Sequence, residues 1–215
     1  MDIYSVMSRL AERRSLFCSE ADFQHELAHE LRLAKPDLQV RLEYPLGPDL
    51  RGAIDILLLG PDRFALELKY LCKGLTAQVG GEEITLRHQS AHDIRRYDVC
   101  KDIQRMERYS ERTGYSAAVL VLTNDPAYWR VRRRSDTVDA AFDLAETRVL
   151  GGSLSWGAAA GAGTTRGRES SLQISGRYRL AWRDFSDVGG PAGCFRYLWL
   201  PVGPSSNPQA GSTAN

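Results

Sequence analysis

Two short apolar runs separated by a turn constrain this chain more than any other feature. Ile54-Asp55-Ile56-Leu57-Leu58-Leu59 leads through Gly60-Pro61-Asp62-Arg63 into Phe64-Ala65-Leu66-Glu67-Leu68-Lys69. Aliphatic runs of this length, bounded by Gly and Pro, read as the two strands of a hairpin. Three charged side chains, Asp55, Glu67 and Lys69, are set into them. A charge buried in such a run is costly unless it meets an ion, another charge or a ligand. The pattern therefore predicts a polar site built into a sheet.

Side chains alternate along a strand, so Ala65, Glu67 and Lys69 share one face while Leu66, Leu68 and Tyr70 share the other. Whether Asp55 joins Glu67 depends on the turn. A loop over Gly60-Pro61-Asp62 pairs position 59 with 63, and hence 55 with 67. A tighter turn at Pro61-Asp62 pairs Asp55 with Leu68 and divides the carboxylates between faces. Gly60 and Pro61 permit either. The odd loop is expected, because the apolar faces then coincide. With both carboxylates on one face, their oxygens, a backbone carbonyl and water make a hard-oxygen site suited to Mg²⁺ or Mn²⁺. Lys69, one pleat along, would orient or help deprotonate an attacking water and offset charge building on a phosphate. A bare Glu-x-Lys also occurs on exposed surface strands; the apolar runs on both sides give it meaning here.

Asp55 followed by Glu67-Leu68-Lys69 resembles the PD-(D/E)xK nuclease superfamily, with Ile54 standing where many members have proline. The resemblance covers about residues 19–130. Within it, Ala91-His92-Asp93-Ile94-Arg95-Arg96-Tyr97-Asp98, Lys101-Asp102-Ile103 and Leu122-Thr123-Asn124-Asp125 look like a bacterial branch of that superfamily. The resemblance implies a restriction-endonuclease-like α/β (α+β) fold, a central mixed β-sheet flanked by helices, here with a C-terminal β elaboration. It also implies metal-dependent hydrolysis of DNA phosphodiesters, with RNA as the other candidate substrate. Asp55 and Glu67 would hold Mg²⁺ or Mn²⁺, and a glutamate from the first helix of the core would assist.

Ser19-Glu20-Ala21-Asp22 carries a capping-box-like signal and opens a helix running to about Ala34, before Pro36. Its core stripe is Phe23, Leu27, Leu31 and Ala34. Of Glu20, Glu26 and Glu30, Glu20 falls on that stripe, so it is the expected third catalytic and metal-binding acid. The other reading makes it a first-turn acid favoured by the helix dipole. A second, longer helix begins at Ser90-Ala91-His92-Asp93, with Ser90 as cap and Asp93 as its capping partner, and ends at Gly114. Its core stripe, Val99, Ile103 and Met106, turns polar towards His92 and Arg96. Arg96 is expected at a phosphate, with Gln89, His92 and Lys101 beside the same strand; alternatively it pairs with an acid such as Asp93. Arg130, Arg132 and Arg133, with Arg134 and Trp129, suit phosphates and stacked bases, or form a solvated charge run. Arg95, Arg105, Arg108 and Arg112 make a second basic strip.

Two rival functions are weighed. His25-Glu26-Leu27-Ala28-His29 spells the HExxH of zinc metalloproteases. Both histidines point away from the Phe23-Leu27-Leu31 stripe, and Arg32 and Lys35 stand where further metzincin residues would fall. His88 and His92 share helical spacing, but the cap at Ser90 separates them. The other rival is a catalytically silent nucleic-acid-binding or assembly protein of the same fold, against which the intact triad argues.

A chain of 215 residues is long enough for one domain with an elaboration. The expected divisions are a core over 1–130, a β elaboration packed on it over 131–202, and a polar, disordered tail over 203–215. Net charge is +1, so any nucleic-acid surface must be local. Cys18, Cys72, Cys100 and Cys194 lack paired spacing and read as reduced thiols. With no apolar stretch long enough to span a bilayer, a cytoplasmic protein without membrane contact is expected. DNA is the expected partner, alongside a second copy of the chain or a partner protein. Elsewhere Val40 to Leu46 and Ser116 to Leu122 read as strands and Lys73 to Leu86 as a loop or inserted hairpin. Gly157 to Gly167 reads as a mobile loop, and Leu172 to Phe185 with Cys194 to Val202 as a late hairpin.

Overall fold

The elements follow in the order α1 (Ile3–Arg13), α2 (Glu20–Ala34), β1 (Gln39–Pro45), β2 (Ala53–Leu59), β3 (Phe64–Leu71), β4 (Leu75–Val79), β5 (Glu82–Leu86), α3 (His92–Thr113), β6 (Ser116–Thr123), β7 (Val149–Leu154), β8 (Leu172–Arg179), β9 (Trp182–Asp187) and β10 (Cys194–Val202). The structure is a computed structural model and describes residues 2–46, 52–61 and 63–203. Residues 47–51, Asp62 of the hairpin loop and the tail from 204 onward lie outside the described residues.

Local chemistry sets most boundaries. The Ser19 hydroxyl accepts the Asp22 N–H at 3.1 Å and opens α2. Gly114, at φ 71, closes α3 with its N–H on the Ser110 carbonyl. Gly80 and Gly81, both at positive φ, turn β4 into β5. The start of α3 departs from expectation: Ala91, in a left-handed conformation at φ 64, takes the cap position and no side chain caps the helix. Ser90 is therefore not the cap. Asp93 instead accepts the Ile94 N–H and the Thr164 hydroxyl.

The central sheet is mixed and six-stranded, in the order β1-β2-β3-β6-β10-β9. Only β3 and β6 run parallel, and they are the most deeply buried strands, as parallel pairs usually are. One sheet face, with Ile56, Leu66, Leu68 and Leu120, packs against Phe23, Leu27 and Leu31 of α2 and Phe17 of the link that precedes it. The other, with Leu57, Ala65, Val119 and Val121, packs against Val99, Ile103 and Met106 of α3. Helices thus flank a central mixed sheet on both sides.

The C-terminal third is divided between two places. β10 lies antiparallel to β6 and β9 to β10, so both extend the central sheet. β8 pairs with β7 in a separate hairpin against α3. The run from Leu172 to Phe185 is consequently not one strand opposite Cys194 to Val202. At Leu180 the backbone turns to exchange hydrogen bonds with Thr147 and Arg148, and from Trp182 the chain joins the other sheet. Residues 157–167 contain a helical turn, Ala162–Thr165, and Gly157 donates its N–H to the Val138 carbonyl at 2.7 Å. Among the described residues no helix is long and apolar enough to cross a membrane.

Candidate active site

β2 and β3 pair as Ile56↔Leu66, Leu57↔Ala65 and Leu58↔Phe64, the register of the odd loop. Their ladder stops there, while β3 continues to Leu71 beside β6. Beyond Leu66 the edge of β3 that faced β2 is therefore open, and its backbone groups need other partners. Side chains supply them. Asp55 Oδ2 accepts the Leu68 N–H at 2.6 Å, and Glu20 Oε2 accepts the Tyr70 N–H at 2.7 Å. Lys69 Nζ donates to the Leu68 carbonyl at 3.0 Å and Gln89 Nε2 to the Tyr70 carbonyl at 3.4 Å. Gln24 of α2 holds the Asp55 carbonyl at 2.7 Å, steadying the point where β2 departs.

Glu67 and Lys69 project from β3 towards α3. Lys69 Nζ lies 2.9 Å from Asp102 Oδ2 and 3.8 Å from Glu67 Oε1. Arg105 Nη2 contacts Glu67 Oε1 and stands 3.2 Å from Asp102 Oδ1, while its Nη1 donates to the Ala53 carbonyl. Four acidic and two basic side chains thus meet where the sheet opens. Glu20, Lys69, Asp102 and Arg105 of this group line a cleft of about 490 Å³, together with Gln89, Arg95 and Lys101.

The charges are unevenly balanced. Burial lifts the Asp55 carboxyl to about 6, against the pull of the Leu68 N–H and Lys69 and with help from Glu20 and Glu43. Burial, then Asp102 and Asp55, push Glu67 well above the ordinary carboxylate range, outweighing Arg105 and Lys69. Lys69 is raised despite its burial, because Asp102, Glu20 and Glu67 surround it. As an ammonium it can orient a water.

Glu67 Oε2 is buried and has no hydrogen-bond partner, although Glu67 itself is only 3% exposed. Burial first, and neighbouring acids second, raise both Asp55 and Glu67, so a positive charge beside them would be favourable. The donor set is all oxygen, so it fits a hard divalent ion such as Mg²⁺ or Mn²⁺. Among the described residues no three His, Cys, Asp or Glu side chains already stand together as an ion cage. In this arrangement Arg105 and Lys69 supply the positive charge.

The other expected residues are placed as follows. Arg96 is 6% exposed and committed elsewhere: it bonds Asp139 Oδ2 at 2.8 Å and the Ala127 carbonyl at 2.6 Å, over the Tyr128 ring. It is an internal strut rather than a phosphate ligand, and its acid is Asp139, not Asp93. His92 bonds Asp125 at 2.7 Å. Gln89 and Lys101 do line the cleft. Arg132 is spent on Asp139, Asp143 and Thr137, and Arg134 on Asp136. Arg130 and Arg133 are exposed. His25 and His29 are exposed, and Glu26 pairs with Arg13 and Arg14, so the HExxH side chains do not converge.

Asp102 and Arg105, central to the charge cluster, were not among the expected site residues. A signal for them existed. Asp98, Lys101, Asp102 and Arg105 recur at helical spacing, a continuous polar face beside the apolar stripe, and that face borders the cleft. No protein-family profile, curated protein or solved structure matches this chain.

Proposed function

We propose that this protein is a Mg²⁺- or Mn²⁺-dependent nuclease acting on DNA, built on a restriction-endonuclease-like core. One observation carries the reading: Asp55, Glu67, Lys69 and Glu20, from three elements, meet at the single place where β2 leaves β3. Asp55, Glu67 and Glu20 would hold the ion, which supplies Lewis-acid charge at the scissile phosphate. Lys69 would donate a hydrogen bond to the attacking water and, as a permanent cation, offset charge growing on the phosphate. Arg95 and Lys101, on the cleft wall, would meet flanking phosphates.

Supercoiled plasmid incubated with Mn²⁺ tests this, with Asp55→Ala and Lys69→Ala beside the wild type. The wild type is expected to nick the plasmid and each variant to lose about 100-fold or more in rate. A second reading, a nucleic-acid-binding module without catalysis, is favoured by one feature: Glu67 and Lys69 are already held in ion pairs by Arg105 and Asp102. Equal DNA binding by all three proteins, with no cutting of plasmid or of an RNA substrate, would establish that reading instead.

A further inference from the structure

Arg105 occupies the carboxylate that the proposed ion needs. Its Nη2 contacts Glu67 Oε1, the oxygen nearer Lys69, and its Nη1 rests on the Ala53 carbonyl at the start of β2. The position is prepared: a Cβ at Gly52 would fall 2.9 Å from Arg105 Nη1, so a side chain there would crowd the guanidinium. Yet the pair is poorly satisfied on both sides. Arg105 Nε and Glu67 Oε2 are both buried without a hydrogen-bond partner. A buried Arg–carboxylate pair is strong when its remaining donors and acceptors are also met, and weak when they are not. This one neutralises charge while leaving two buried groups unmet, the condition of a contact that another cation can replace.

We propose that Arg105 is a displaceable counter-ion, which holds Glu67 in the metal-free protein and must release it when a divalent cation binds. The inference rests on the carboxylate-site reading above. Ion and guanidinium then compete for one oxygen, and by linkage each weakens the other's hold on Glu67. Arg105 borders the cleft, so on release its side chain has solvent and not core to enter. Asp102 stays paired with Lys69, so the site does not lose its structure when Arg105 leaves.

Calorimetric titration with Mn²⁺ alone, in the absence of nucleic acid, tests the competition. Arg105→Gln is expected to bind Mn²⁺ about tenfold tighter than wild type, within the usual range of coupling between two ligands of one site. Glu67→Gln is expected to bind it more weakly. If Glu67→Gln weakens Mn²⁺ binding but Arg105→Gln leaves it unchanged or weaker, the counter-ion role is wrong and the carboxylate site stands. If wild type and Glu67→Gln bind alike, or neither wild type nor Arg105→Gln binds, both readings fall. Should Arg105→Gln not fold, the wild-type protein answers the question. Arginine modification by phenylglyoxal, located by mass spectrometry, should rise several-fold at Arg105 on adding Mn²⁺, and an unchanged extent overturns the proposal.

Discussion

Asp55 does two separable things: its Oδ2 caps the Leu68 N–H, and its charge adds to a crowded carboxylate cluster. Asparagine can do the first without the second. The lift of the Asp55 carboxyl from 3.8 to about 6 corresponds to about 3 kcal/mol of strain in the charged form, and a partly exposed group realises less of it. Asp55→Asn is therefore expected to melt at or above the wild-type temperature at pH 8 while losing plasmid cleavage. A melting temperature several degrees below wild type would mean that the charge is stabilised and the cluster has been misjudged. These side chains were legible because strand alternation and one register choice suffice to bring Asp55 and Glu67 together. Arg105 was read only as part of a basic strip and Asp102 only within the resemblance, because sequence spacing does not show that both reach across to Glu67 and Lys69. Arg96 misled for the converse reason: its place on the core stripe of α3 was taken for the mouth of a cleft, and it is buried against Asp139.

At the scale of elements, Arg96 and Glu107, both buried, tie α3 to the C-terminal half through contacts that sheet pairing alone would not create. Arg96 joins it to Asp139 and Ala127. Glu107, 3% exposed, accepts the N–H groups of Ser175 and Gly176 and the Tyr178 hydroxyl, and so fixes β8 to the helix. Removing one partner of a buried ion pair typically costs about 3–5 kcal/mol. Arg132 would remain on Asp139, so Arg96→Ala should cost less, about 2–3 kcal/mol in urea unfolding, with DNA affinity unchanged below the transition. An Arg96→Ala protein of normal stability that no longer binds DNA would restore the phosphate role. Glu107→Ala removes the acceptor of the Ser175 and Gly176 N–H groups, and it should cost about 3 kcal/mol and raise hydrogen exchange first in β8. The elements themselves were legible where the signal is local: the β2–β3 hairpin, the Gly80-Gly81 turn, the cap at Ser19, the stop at Gly114. The late strands were not. Alternation runs on from β8 towards β9 with only Leu180 and Ala181 between them, and the partner of β8 lies far back in the sequence at β7.

Over the whole molecule, five acids fall into two groups with opposite pH dependence: Asp139 and Asp125 in one, Asp55, Glu67 and Asp98 in the other. Asp139, despite its burial, is held far below the ordinary carboxylate range by Arg132, Thr137 and Arg96. Asp125 is held down by His92 and Ala127 against its own burial. A depressed carboxyl contributes stability above its unfolded pKa, and that contribution is lost as pH falls. Asp55, Glu67 and Asp98 are all raised, first by burial. For these the folded state binds more protons than the unfolded one. Their contribution is complete below the unfolded pKa of about 4 and disappears as pH climbs through neutrality. The two groups together place the stability maximum of the metal-free protein on the acid side, near about pH 5. Melting temperature should then decline towards pH 8, and Glu67→Gln or Asp55→Asn should flatten that decline. A bound divalent ion reverses the slope, because it needs the carboxylates deprotonated. Mn²⁺ should therefore raise the melting temperature much more at pH 8 than at about pH 5.5, where protons compete for the same oxygens. A metal-free melting temperature that climbs steadily to pH 8, or an Mn²⁺ effect equal at both pH values, would mean that the carboxylates at the open edge of β3 are ordinary ion-pair partners that hold no divalent ion.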